Sequence, residues 1–254
     1  MRTPIIAANW KMHKTVTEAL EFVEQLAGLL DTGNTETVIC PPFPLLGCVA
    51  EACHKYGLRV GAQNMYWEAT GAFTGEVSPL LLKDLAVDYV IIGHSERRQL
   101  FAETDQHVAR KVKAAFAHDL TPIVCVGETL QQRQAEQTMD VVGEQVTVAV
   151  TGLDPSQVRR MVIAYEPVWA IGSGLAATGK DANEVACYIR KTIGELFSLK
   201  VARDVRLQYG GSVKPENIAD FMQETDVDGA LVGGAALDSA KFAGIINGVI
   251  GANS

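Results

Sequence analysis

The sequence predicts an α/β protein, a single (β/α)8 barrel spanning residues 1–254. Three features carry that prediction. Eight short apolar runs alternate with longer amphipathic stretches. Most of the runs are rich in Val and Ile and apolar at successive positions, as strands buried on both faces of a parallel sheet are. The first run ends in Asn9-Trp10-Lys11, not in the Gly-x-Gly-x-x-Gly turn usual for an open, doubly wound sheet.

The runs fall at residues 5–10, 37–40, 59–63, 89–93, 122–126, 161–165, 206–209 and 230–232. Between the first two, residues 18–30 predict a helix, with Leu20, Val23, Ala27 and Leu30 on one stripe and Glu21 and Glu24 opposite. Thr17 is placed as its N-cap. The same period predicts helices over 104–118 and 182–197, the second capped by Asp181. No linker or low-complexity stretch interrupts this rhythm, which implies one domain.

A chain 48% hydrophobic and 20% charged is an ordinary globule. Its net charge of −8, from 22 basic and 30 acidic residues, argues against nucleic acid as a partner. It still allows a small anionic substrate, which needs only one local positive site. Cys40, Cys48, Cys53, Cys125 and Cys187 are odd in number and form no Cys-x-x-Cys pair. That pattern points away from a disulfide framework or zinc site and towards reduced thiols in the cytoplasm. The apolar run before Asn9 is too short for a signal peptide or a membrane span.

In a barrel the active face lies at the C-terminal ends of the strands. Polar groups collect at those ends: Asn9 and Lys11 after the first run, His94-Ser95-Glu96 after the fourth, Glu166 after the sixth. Singly, each has a plain structural explanation, as solvated charge, hydrogen-bond donor or loop carboxylate. Three at three strand ends point to a site. A carboxylate after Val162-Ile163-Ala164-Tyr165 lies beside a desolvated wall, which raises its basicity. The turns Gly210-Gly211-Ser212 and Gly233-Gly234 follow the last two runs, where this fold binds phosphate. Each is expected to lead into a helix. The uncharged stretch 168–177 after Pro167 is expected to cover the site as a lid.

Taken together, Asn9-Trp10-Lys11-Met12, Gly93-His94-Ser95-Glu96-Arg97-Arg98, the stretch 164–172, Tyr209-Gly210-Gly211-Ser212 and Leu231-Val232-Gly233-Gly234 resemble the triosephosphate isomerase family over essentially the whole chain. The resemblance implies a TIM barrel that interconverts dihydroxyacetone phosphate and D-glyceraldehyde 3-phosphate, in glycolysis and gluconeogenesis, without a cofactor or metal. It implies Glu166 as the base and Lys11, with Asn9 beside it, as the group stabilising the anionic substrate. His94 becomes the electrophile, a neutral imidazole at a helix start; this family is itself the well-known case of that tuning. Gly172, Ser212, Gly233 and Gly234 would hold phosphate, while Glu96 and Ser95 support the site.

Other phosphate-binding barrels share the glycine turns but need not carry Lys11, His94 and Glu166 together, and a non-catalytic relative would lack one of them. Departures from the family pattern occur at Ser173-Gly174-Leu175-Ala176, where a basic residue is usual, at Ala235-Ala236-Leu237-Asp238, where a hydroxyl and a lysine are usual, and at Ala230, where a larger apolar residue is common. The segment 64–78 is too long for a plain strand–helix turn. Its Met65, Tyr66, Trp67 and Phe73 are expected to form an exposed apolar patch that pairs two copies into a homodimer. By the resemblance, Thr74 then approaches Asn9 and Lys11 of the other copy.

Overall fold

A computed structural model describes residues 2–31, 33–170 and 177–252, without the side chains of residues 250–252. Eight parallel strands close into a barrel in sequence order: β1 (Ile5–Asn9), β2 (Glu36–Cys40), β3 (Arg59–Ala62), β4 (Tyr89–Ile92), β5 (Thr121–Val126), β6 (Val162–Tyr165), β7 (Arg206–Tyr209) and β8 (Gly229–Val232). β1 pairs with both β2 and β8, which removes every free edge. Successive residues divide into two buried clusters. Ile5, Ala7, Val38, Cys40, Ile91, Ile123, Cys125, Val162, Ala164 and Leu231 fill the barrel interior, while Ile6, Ala8, Ile39, Val90, Val124 and Ile163 pack in the cluster shared with the helices. This two-sided burial is why the runs lack polar alternation.

The first long helix is Val16–Leu29, and its cap is Thr15 rather than Thr17. The Thr15 side chain accepts from Glu18 N–H, and Glu18 reaches back to the Thr15 N–H, forming a capping box. Its buried stripe is Ala19, Phe22, Val23 and Leu26, whereas Leu20 is exposed. The helix Gly179–Leu196 is likewise capped by Thr178, with Asp181 as the third-position partner of the box. Thr104 caps Asp105–Ala117, within the predicted range. After Ser212 no helix begins until Ile218, and after Gly233 a 3-10 turn, Gly234–Leu237, precedes the helix Ser239–Ala252.

A buried ionic network anchors the end of β4. Glu103 accepts from Arg97 at 2.7 Å and from Gly93 N–H at 3.2 Å, and it pairs with Lys111 at 3.2 Å. Lys111 also donates to Asn64, at 2.8 Å. Burial opposes the charge on Glu103, but Lys111 and Arg97 outweigh it and hold its pKa below the ordinary value. Its pairing therefore stabilises the fold above the ordinary carboxylate range, and that stability is lost as pH falls through the lower folded value. Glu103→Ala strands Lys111 as a buried cation and is expected to destabilise the protein by about 3–5 kcal/mol. Urea unfolding checks this, and a loss under about 1 kcal/mol would show that the network is dispensable.

The segment 64–78 forms less of an apolar patch than its composition predicts. Met65 is fully buried in the core. Tyr66 stacks on Trp67 with centroids 4.1 Å apart, and Trp67 stacks on His107 at 5.3 Å under the Arg110 guanidinium. Only Phe73, 41% accessible, remains a large exposed apolar group. All five cysteines are free, with Cys40 and Cys125 buried. Among the described residues no helix is long and apolar enough to cross a membrane.

Candidate active site

Asn9, Lys11, His94, Ser95, Glu96, Glu166, Ser212, Gly233 and Gly234 converge on one cleft of about 560 Å³ at the C-terminal ends of the strands. Gly172 and the hinge residues 173–176 lie outside the described residues, as does most of the predicted lid. Thr74 is exposed and does not line the cleft.

Glu166 directly follows β6 and is buried. Two glycines make room for it. A Cβ at Gly127 would collide with the Glu166 carbonyl oxygen, and one at Gly210 would come within 2.8 Å of its Cγ. One carboxylate oxygen accepts from Ser95 N–H at 2.9 Å, and the other lies 3.0 Å from His94 Nε2.

His94 caps the helix Ser95–Leu100, its Nδ1 accepting from Glu96 N–H at 3.2 Å. An Nδ1 that accepts is unprotonated, so the neutral ring carries its proton on Nε2, facing Glu166. Burial disfavours the charged ring, but the carboxylates of Glu166 and then Glu96 outweigh it and raise the His94 pKa. Burial likewise disfavours the Glu166 carboxylate, yet His94, the Ser95 N–H and Lys11 together hold its pKa below the ordinary value. Both shifts come mainly from one close pair, so they persist only while the two side chains touch.

Lys11 has φ of 50°, a left-handed conformation uncommon for a side-chain-bearing residue. Side chains hold both ends of its peptide. Asn9 Oδ1 accepts from Lys11 N–H at 3.0 Å, and Gln63 Nε2 donates to the Lys11 carbonyl at 2.8 Å and to the Cys40 carbonyl at 2.9 Å. The Lys11 ammonium pairs with Glu96 at 2.6 Å. Gly233 approaches the Lys11 stem, and a Cβ on Gly234 would meet nothing within 4 Å, so that turn faces open space.

Sequence reasoning missed two residues. Gln63 sits inside the predicted third run and so passed as strand. Glu128 is fully buried just beyond β5, where the strand-end rule that found Lys11, His94 and Glu166 also applies. It accepts from Tyr165 hydroxyl at 3.1 Å and from Trp169 indole N–H at 2.9 Å, and its carbonyl accepts from Val168 N–H at 3.2 Å. Glu128 thereby ties the residues after Glu166 to β5 and β6.

The sequence model described as triosephosphate isomerase matches residues 4–249 of this chain. The chain is also similar to the triosephosphate isomerase of Moorella thermoacetica, 55% identical over 247 residues that cover 97% of this chain and 99% of that protein. A closed eight-stranded parallel barrel carrying a carboxylate, an imidazole and an ammonium in one cleft agrees with both matches. The chain therefore belongs to the triosephosphate isomerase family.

Proposed function

We propose that Glu166 is the base of the reaction, that His94 and Lys11 polarise the substrate, and that Asn9, Ser212, Gly233, Gly234 and Gly172 surround it. The reaction is triosephosphate isomerisation, between dihydroxyacetone phosphate and D-glyceraldehyde 3-phosphate. One observation carries the assignment: a buried carboxylate lies 3.0 Å from His94 Nε2, in the cleft that also holds Lys11.

The Glu166 carboxylate takes a proton from the carbon beside the carbonyl. The freed electron pair forms the carbon–carbon double bond, and charge develops on the carbonyl oxygen. His94 Nε2–H and the Lys11 ammonium are the donors for that oxygen. The proton of the neighbouring hydroxyl passes to it by way of the imidazole, and as that hydroxyl oxygen becomes the new carbonyl, Glu166 returns its proton to the former carbonyl carbon. The Nε2–H that faces Glu166 here is the donor the carbonyl needs, so substrate entry separates the pair. Once apart, His94 loses the main influence raising its pKa and serves as a neutral imidazole.

A coupled assay of purified protein with glyceraldehyde 3-phosphate tests the reading; absence of turnover would refute it. The acid limb of kcat/KM reports the free enzyme. Because Glu166 raises the His94 pKa in the free enzyme and His94 acts as a neutral ring, the acid limb is expected above the ordinary imidazole value of about 6.5, once the substrate phosphate's own titration near pH 6 is subtracted. A limb in the carboxylate range would contradict the role of His94 as a neutral donor.

The active unit on this reading is a homodimer in the cytoplasm. The exposed Phe73 and Thr74 of the long segment after β3 support pairing, and five free cysteines support a reducing compartment. Thr74→Arg forces a long cation into the paired surface and is expected to yield monomers in sedimentation, with reduced activity. A native protein that is monomeric and fully active would overturn the dimer.

A further inference from the structure

We propose that Lys214 is a substrate-recruiting residue, whose ammonium draws the anionic triose phosphate to the cleft and sets the salt dependence of kcat/KM. The inference rests on the cleft being the isomerase site. Four formally charged side chains line that cleft: Lys11, Glu96, Glu166 and Lys214. Two carboxylates offset two ammoniums, so they give it no net positive charge, on a chain whose formal charge is −8. The Lys11 ammonium is committed to Glu96 at 2.6 Å. Glu166 is buried and lies 3.0 Å from His94. Lys214 differs from the other three: it is exposed, and among the described residues its ammonium makes no hydrogen bond or ion pair.

Side-chain hydrogen bonds hold the backbone from which that lysine extends. Asn217 Oδ1 accepts from Lys214 N–H at 2.7 Å, and Asn217 Nδ2 donates to the Ser212 carbonyl at 3.0 Å. One asparagine thus ties the peptide of Lys214 to that of Ser212, the residue proposed at the phosphate. Lys214 thus lines the cleft as an exposed residue, two positions from Ser212.

A hydrated charge in that position adds little to a bound complex, where solvent screens it. It acts on the encounter. At low ionic strength its field extends about 30 Å at 0.01 M, and such fields change association rates by about 10- to 1,000-fold in favourable sites. A single lysine accounts for the lower part of that range. The effect belongs in kcat/KM, unlike that of Lys11, which acts on the reacting oxygen.

The test compares native protein, Lys214→Gln and Lys214→Glu, with glyceraldehyde 3-phosphate at about 0.01 M and about 1 M ionic strength, where screening shortens to about 3 Å. Unphosphorylated glyceraldehyde serves as the neutral substrate. At low salt, kcat/KM is expected to fall about threefold in Lys214→Gln and about tenfold in Lys214→Glu. Both deficits shrink below about twofold at high salt, and kcat changes by less than about twofold. Turnover of glyceraldehyde follows the native protein at both salt concentrations. Equal kcat/KM for the three proteins at low salt would overturn the proposal and leave Lys214 a solvated surface charge. So would a deficit that survives high salt, or one shared by glyceraldehyde, since either marks a structural effect. Native protein inactive on glyceraldehyde 3-phosphate would overturn the site assignment as well, whereas the other contrary results, with an active native enzyme, bear on Lys214 alone.

Discussion

Glu166→Asp is expected to isomerise triose phosphate at least about 100-fold more slowly than the native protein while folding normally and keeping most of its substrate affinity. The shorter arm withdraws the carboxylate by one methylene, and displacement on the order of 1 Å costs about that factor when a base must meet a carbon-bound proton. The site leaves little scope for compensation. Glu166 directly follows β6, whose last residue, Tyr165, pairs with Tyr209 and with Val126. The N–H of Glu166 donates to Val126 at 2.8 Å, so its backbone is fixed to the barrel wall. The aspartate cannot recover reach by shifting the main chain. Steady-state kinetics and circular dichroism separate the two effects. A variant with near-native kcat would remove Glu166 from the role of base.

Lys11→Met should be as damaging in rate and worse in affinity. Methionine keeps much of the stem that runs past Gly233 but deletes the charge. It also leaves Glu96 without the ammonium now 2.6 Å away. Removing one donor to a developing oxyanion costs about 100- to 1,000-fold in kcat. On the proposed reading the same cation also faces the anionic substrate, so KM is expected to rise as well. The protein holds Lys11 in an uncommon backbone conformation, with Asn9 bonded to its N–H and Gln63 to its carbonyl. Native-like kcat and KM at low ionic strength would show that the cation serves no substrate.

The barrel was legible because burial on both faces leaves a plain mark. β1 reads Ile5-Ile6-Ala7-Ala8 with no polar alternation, and β6 reads Val162-Ile163-Ala164-Tyr165. The site was legible for a related reason: a charge or imidazole just beyond such a run must stand at the rim. Helix registers were harder. Two threonines, Thr15 and Thr17, precede the first helix, and the glutamate three residues after Thr15 decides between them. At the helix Gly179–Leu196, Asp181 resembles a cap but partners the true one, Thr178. The direction of Met65 and Trp67 was not legible. Met65 goes into the core and Trp67 lies against His107, contacts made across tens of residues that no local pattern encodes. Gln63 escaped notice for the same reason, since its partners are the carbonyls of Lys11 and Cys40 on other strand ends.

The central claim is that a carboxylate moves a proton between adjacent carbons. Isomerisation of dihydroxyacetone phosphate in deuterium oxide, followed by proton NMR, tests it most directly. A proton held on Glu166 can exchange with solvent before it is returned, so product glyceraldehyde 3-phosphate is expected to carry deuterium at the carbon that receives it, in native protein and, more slowly, in Glu166→Asp. Product formed by the native protein with no deuterium at that carbon would mean that hydrogen passes directly between the carbons, and would contradict the role given to Glu166.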